Sequence, residues 1–305
     1  MALSLYRSLR AIVAALLVTL LAPGTARSQT VGKMVVDDVT NAARDFGAIW
    51  ISPFRGGGED YLIAGAVLAA AAALSPLDDD VDRWAVRNRD RGVLDAIRPF
   101  RRGGDFYSIN KATPYVGGLY VVGLLTKSQG IRDGIFGCAA AYGANTTIRH
   151  QVVYRVIGRN RPDTIRNRPE GYVRVGATHG DQYEFNVPSK GYGDHSFPGG
   201  HVATMATCAS FLSHRFRMGA VEPALAILVT AMGVGRIADQ GHWLSDQVVG
   251  VAFGYAIGRE VARRQKARLH RKSEVAPFVE SATHGTGPYI GADANGTRVG
   301  WQHSF

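Results

Sequence analysis

The chain has 305 residues, 46% of them hydrophobic and 20% charged, with a formal net charge of +10. That length can bury a core in one large domain or two small ones, and the composition excludes an unstructured or low-complexity chain. The positive charge favours an anionic partner, for which nucleic acid, an acidic membrane surface and a phosphorylated compound all qualify.

At the N-terminus Arg7 and Arg10 precede an apolar run from Ala11 to Ala22, followed by Pro23, Gly24 and the small-residue site Ala26-Arg27-Ser28. Basic, short apolar, then small-x-small is the order of a secretory signal peptide, expected at 1–28 with an exported, periplasmic or secreted product. An uncleaved anchor helix is the alternative. The body, 29–275, reads mainly as helix, with segments expected at 33–50, 60–75, 78–98, 105–127, 131–157, 200–217, 221–238 and 242–265. Pro53, Ser75-Pro76, Pro99, Gly103-Gly104, Gly158, Pro162 and Pro188 punctuate them. The expected fold class is therefore all-α, a helical bundle. The uncharged, alanine-rich stretch Tyr61–Leu77 fits a buried bundle helix better than a membrane span, though a membrane-embedded body stays open.

The segment Asp163–Phe197 has no steady period and is rich in Gly, Pro, Arg and aromatics; it reads as a long irregular connection, the kind that usually carries function. Its Arg166, Arg168, Arg174, His179 and Lys190 add positive charge. The tail, 276–305, is Gly-rich with aromatic ends and suits a β-hairpin or an extended wrap. Cys138 and Cys208 lie in Ala-rich helical stretches, where a pair and two buried thiols are both open.

Three separated segments carry chemistry. The first, Tyr154 to Pro162, ends a helix in a turn bearing Arg155, Arg159 and Arg161, and guanidinium groups bind phosphate oxygens bidentately without losing their charge. The second, Ser196-Phe197-Pro198-Gly199-Gly200-His201, opens a helix with glycines, whose free N–H groups form an anion site beside the histidine. The third runs from Gly235 to Asp246. There Arg236 offers a further cation, and His242 and Asp246, four apart, share a helix face on which the carboxylate can hold the imidazole N–H. Each segment taken alone also fits a bland reading: a solvated helix end, a capping histidine, a surface hydrogen bond.

In this order the three segments resemble the signature of the type 2 phosphatidic acid phosphatase and vanadium haloperoxidase superfamily, Lys-x6-Arg-Pro, Pro-Ser-Gly-His and Ser-Arg-x5-His-x3-Asp. Arg161-Pro162, then Pro198, Gly200 and His201, then Arg236, His242 and Asp246 carry the match. Tyr154 stands where the family has its lysine, Gly199 where it has a serine, and Gly235 where it has a second serine. The resemblance implies a phosphatase that works through a phosphohistidine, without metal or cofactor, on phosphate monoesters or diphosphates of small molecules or lipids. His242 would be the nucleophile, Asp246 its orienting group and His201 the proton donor. Arg161, Arg236 and the Gly199 and Gly200 amides would hold phosphate, with Tyr154 or Arg155 or Arg159 in the lysine's role. A weakened member that only binds phosphate or lipid headgroups, and a vanadate-dependent haloperoxidase, are the alternatives. The basic stretch ending Arg271-Lys272 reads as either a solvated helix end or a membrane-surface contact, and nucleic acid is not expected, because the arginines lack interleaved stacking aromatics.

Overall fold

The structure is a computed structural model that describes residues 30–98, 109–163, 180–189, 192–216, 218–219, 221–281, 287–293 and 296–302. The expected signal peptide, Arg166, Arg168, Arg174, His179 and Lys190 lie outside these. The chain divides into two units, 1–262 and 263–305.

The first unit is all-α, as expected. Helix α1 (Val31–Ile51) begins at Thr30, whose hydroxyl accepts the Lys33 amide at its N-cap. Helix α2 (Gly58–Leu74) is followed by a short 3₁₀ turn and α3 (Asp78–Asn88), which ends before Gly92; φ there is +53°, left-handed backbone that favours glycine. The helix expected at 78–98 is therefore two, α3 and the short α4 (Gly92–Ala96). Then come α5 (Ile109–Leu125) and α6 (Gln129–Ile148). Helix α6 passes into a π-turn at Arg149–Val153 and a last turn, α7 (Tyr154–Val156), where one continuous helix was expected. Strands β1 (Gly158–Arg159) and β2 (Phe185–Asn186) pair antiparallel, pinning the described end of the long connection. Helices α8 (Gly200–Phe216), α9 (Val221–Ala238) and α10 (Leu244–Ser281) complete the set.

The main core joins α1, α6, α8 and α10 through Ile49, Ala141, Ala144, Phe211, Ile257, Val261 and Ala262. A second cluster joins α3, α4 and α9 through Ala85, Leu94, Ile237 and Ala238. Two links staple α6 to α8: the Asn145 amide donates to the Thr207 hydroxyl at 2.8 Å, and Cys138 and Cys208 form a disulfide, so the pairing left open by sequence is made.

Helix α10 packs on α8 through a glycine stripe. A Cβ on Gly250, Gly254 or Gly258 would run into the carbonyl oxygens of Gly199, Ala203 and Thr207 in turn. Spacing of four residues keeps the three on one face, so the two backbones meet without side chains between them. This close approach sets the start of α8, with His201, against the start of α10. Gly254→Ala should destabilise by about 1–3 kcal/mol through overpacking, read as a lower urea midpoint at unchanged slope; a midpoint equal to wild type would contradict the close approach.

Helix α2 departs from expectation. It is apolar all round, so no face is selected for the core, and only Ala71 is buried along it, while Leu62, Ile63 and Leu68 are exposed. The stretch Gly58–Asn88 and helix α9 are both long and apolar enough to cross a membrane; the first is almost wholly exposed, the second nearly half buried.

The second unit contains the end of α10, which runs well past the expected 265, and a hairpin of β3 (Gly287–Asp293) and β4 (Gly296–Gln302). The strands pair from Gly287 opposite Gln302 to Asp293 opposite Gly296, the hairpin option for the tail.

Candidate active site

The three motif segments, distant in sequence, converge where α8 and α10 begin. The rings of His201 and His242 stand 6.1 Å apart, inclined at 62°. His201 is half-buried in the first turn of α8, and His242 is 1% exposed in the loop between α9 and α10. The Nδ1 of His242 lies 2.7 Å from the Ser196 carbonyl. A carbonyl can only accept, so Nδ1 carries the proton and Nε2 keeps the lone pair, the tautomer a nucleophile or base requires.

Asp246 supports this ring less directly than the four-residue spacing suggested. Fully buried at the start of α10, its carboxylate takes the Ser196 hydroxyl at 2.5 Å, the Trp243 amide at 3.0 Å and the Arg159 guanidinium at 2.6 Å. The Trp243 contact is a helix cap, a third-position acid reaching back to the N-cap amide. Asp246 thus fixes Ser196, whose carbonyl fixes His242. Burial holds the Asp246 carboxyl above its ordinary value, against the pull of the Arg159 charge, the Ser196 hydroxyl and the Trp243 amide. Burial also works against the charge on Arg159, but Asp246 and Asp78 outweigh it, so the guanidinium is held above its ordinary value.

Sequence reasoning missed the other half of this network. Asp78, fully buried at the first position of α3, accepts the Ser245 amide at 2.8 Å, the Ser245 hydroxyl at 2.5 Å and Arg159 at 2.7 Å. One turn along, Asp82 accepts the Gln240 side-chain amide at 2.6 Å. Two carboxylates on one face of α3 therefore clamp both sides of the loop that carries His242. The acidic run at 78–82 is visible in the sequence, but an acidic helix start is ordinary and gives no hint of partners more than 150 residues away.

Among the arginines, Arg161 and Arg236 are buried at the site. Arg161 donates to the Gly241 carbonyl at 3.2 Å and the His195 carbonyl at 2.9 Å, tying the segment before His201 to the segment before His242. Arg236 donates to Asp239 at 3.1 Å. The alternatives for the lysine's role fall elsewhere. Arg155 is exposed. Arg159 is bound between Asp78 and Asp246. Tyr154 is buried with its hydroxyl on the Pro198 carbonyl at 3.0 Å, so it positions the glycine loop through its backbone.

Within that loop the two glycines differ. The Gly199 amide donates to the Asp246 carbonyl at 2.9 Å, which removes it from the expected pair of phosphate donors, whereas Gly200 opens α8, where first-turn amides have no intrahelical acceptor. A Cβ at Gly199 would lie 2.8 Å from the Gln247 Oε1 and 3.1 Å from the Asp246 carbonyl. The space a serine side chain would enter is thus taken by the Gln247 carboxamide. Among the described residues no group of His, Cys, Asp and Glu is arranged to hold a metal ion.

Two further histidines flank Tyr154. His195 stacks on its ring at 4.6 Å and His150 meets it edge-on at 5.1 Å. Burial, then the charges of Arg149, His195 and Arg161, hold His150 below the usual imidazole value. Burial and then Arg161 do the same for His195, against Asp194. Both rings resist protonation in the fold, whereas in the unfolded chain they take up protons near pH 6.5. The unfolded state then binds more protons as pH falls through that value, so stability drops from about pH 6.5 downward. The melting temperature in phosphate-free buffer should fall over that range, and His150→Gln/His195→Gln should flatten the fall; an unchanged slope would remove these rings as its cause.

Residues 135–269 match the model of the PAP2 superfamily, a stretch that opens in α6, ends in α10 and includes all three motifs. The comparisons with curated proteins and with solved structures returned no match. With this match laid over two facing imidazoles, two buried arginines and a glycine-opened helix, the stretch 135–269 belongs to the PAP2 superfamily.

Proposed function

We propose that this protein is a metal-independent phosphatase that hydrolyses phosphate esters through a phosphohistidine on His242. Membership of the superfamily implies phosphatase or related phosphoryl-transfer chemistry at the coarser level. The observation that carries the finer reading is the histidine pair: His242, with Nδ1 held by the Ser196 carbonyl, faces His201 at 6.1 Å between ring centroids. That gap suits a phosphorus atom between a nucleophile and a proton donor.

In the first step Nε2 of His242 forms a bond to phosphorus as the ester P–O bond breaks, and the leaving oxygen takes a proton from His201. In the second, water attacks phosphorus and gives its proton to His201. The P–N bond breaks, releasing inorganic phosphate and restoring both rings. Arg161, Arg236 and the Gly200 amide stabilise the charge on the equatorial oxygens, which is the work positive groups do in phosphoryl transfer.

The substrate is a phosphate-bearing small molecule or lipid. The exposed apolar face of α2, with Leu62, Ile63 and Leu68, favours a lipid phosphate met at a bilayer. Purified protein should release phosphate from p-nitrophenyl phosphate and from a detergent-dispersed lipid phosphate in excess chelator, and vanadate should inhibit both. Activity abolished by chelator and restored by a divalent metal would refute the metal-free mechanism. A second reading, phosphate binding without turnover, draws on the engaged Gly199 amide and Tyr154 hydroxyl. It predicts a phosphate-induced rise in melting temperature with no hydrolysis of either substrate.

A further inference from the structure

The π-turn between α6 and α7 delivers an arginine that none of the motifs contains. In an α-helix, residues five apart point about 140° away from each other. Here the Tyr154 amide bonds back to the Arg149 carbonyl, five residues earlier, and this wider turn stacks Arg149 over Tyr154. The Arg149 guanidinium carbon lies 5.6 Å from the Tyr154 ring centre, and Nη1 donates to the Gly200 carbonyl, in the glycine loop directly before His201. A Cβ at position 200 would sit 2.7 Å from Arg149 Nη1 and 2.9 Å from the Tyr154 hydroxyl, so only glycine there lets both side chains reach the loop.

Arg149 is 6% exposed. Its other contacts are the His150 Nε2, 3.5 Å from Nη2, and none at Nε; among the described residues no carboxylate pairs with it. Arg132, Arg159 and Arg215, buried or nearly so and outside the proposed phosphate ligands, each have an aspartate. Burying a cation without a counter-charge is unfavourable unless an anion arrives to meet it. Structural arginines in this fold are neutralised from within; Arg149 is not, and it sits on the anion loop.

We infer that Arg149 is a phosphate-binding residue, its guanidinium brought to the glycine loop by the π-turn to supply the positive charge that Tyr154 lacks. The inference rests on the phosphatase reading and adds a ligand to the same site. Arg149 adds to Arg161 and Arg236 a cation bound directly to the glycine loop, and its planar fork is suited to a phosphate oxygen pair. Tyr154 then serves as the platform beneath the guanidinium while its hydroxyl holds the Pro198 carbonyl.

The test uses the full chain with inorganic phosphate as ligand, read by melting temperature and by competition against p-nitrophenyl phosphate hydrolysis. Arg149→Met should melt at or above the wild-type temperature in phosphate-free buffer, because an uncompensated buried charge has been removed. It should lose the phosphate-induced rise and show a phosphate inhibition constant and kcat/KM worse by about 100-fold. Arg149→Lys, keeping the charge without the fork, should fall between. A methionine variant that melts far below wild type marks a structural arginine and overturns the inference, as does one that keeps wild-type phosphate affinity. If the methionine variant does not fold, the lysine variant decides: weaker phosphate binding at the wild-type melting temperature supports the role, and unchanged binding removes it. Wild-type protein that neither binds phosphate nor hydrolyses the ester sinks the phosphatase reading and this inference with it. Hydrolysis by wild type with an indifferent Arg149→Met sinks the inference alone.

Discussion

Replacing His242 with alanine should lower kcat by at least about 10⁴-fold, the scale of losing a nucleophile, since the arginines and Gly200 can still bind phosphate but nothing forms the P–N bond. The His201→Ala result depends on the leaving group, and this is what separates the two histidines. General acid catalysis contributes roughly 10²–10⁴-fold where the departing oxygen is strongly basic. An alkyl phosphate, whose alkoxide needs the proton, should therefore lose most of its rate in His201→Ala. p-Nitrophenyl phosphate, whose phenolate leaves easily, should lose much less. His242→Ala should damage both substrates equally, because the nucleophile is needed whatever leaves. Rapid quenching in alkali and in acid gives a second readout: a phosphoenzyme that survives alkali and is lost in acid should form with p-nitrophenyl phosphate in wild type, persist longer in His201→Ala, and be absent from His242→Ala. Equal losses for both substrates in His201→Ala would remove the proton-donor role, and a labelled His242→Ala protein would remove the nucleophile. Both rings are placed for this test: they face one another at 6.1 Å although they lie 41 positions apart in sequence.

That meeting of segments is legible in the sequence because each segment carries its own local chemistry: glycines before a histidine at a helix start, arginines after a helix end, a histidine and an acid four apart. Helix α9 falls on the expected 221–238 and α8 within one residue of 200–217, since apolar residues and flanking glycine or proline mark both. What was not legible depends on partners far along the chain. Nothing local says that Asp78 grips Ser245, that Arg159 turns toward two carboxylates and not toward phosphate, or that Gly250, Gly254 and Gly258 face backbone carbonyls. The π-turn at Arg149 was hidden for a different reason. An extra residue in a helix leaves composition unchanged, and only the altered phase between Arg149 and Tyr154 reveals it. The buried bundle helix expected for the stretch from Tyr61 is a misreading of another kind: alanine-rich helices are apolar on every face, so the pattern does not say whether protein or another apolar medium covers them.

The Arg159 network should give the largest loss of stability in the protein. Arg159 is 3% exposed and bridges Asp78 at 2.7 Å and Asp246 at 2.6 Å, both fully buried. Arg159→Met strands two carboxylates in the interior, and removing one partner of a buried ion pair costs roughly 3–5 kcal/mol. Against a typical stability of about 5–15 kcal/mol, that is a large fraction, equivalent to a fall of the order of 10 °C in melting temperature. Asp78→Asn should cost less: the amide oxygen can still accept from Ser245, and Arg159 keeps Asp246. Because the two side chains share one network, the double variant should be markedly less damaged than the sum of the singles, by about 1–3 kcal/mol of coupling. Activity should follow geometry, not merely the folded fraction. Asp78 holds Ser245 and Asp82 holds Gln240, one on each side of His242, so Asp78→Asn assayed well below its melting temperature should still show a lowered kcat with little change in KM. Additive losses in the cycle would mean that Arg159 and Asp78 act separately. A wild-type kcat in folded Asp78→Asn would mean that the loop bearing His242 keeps its place without the clamp from α3.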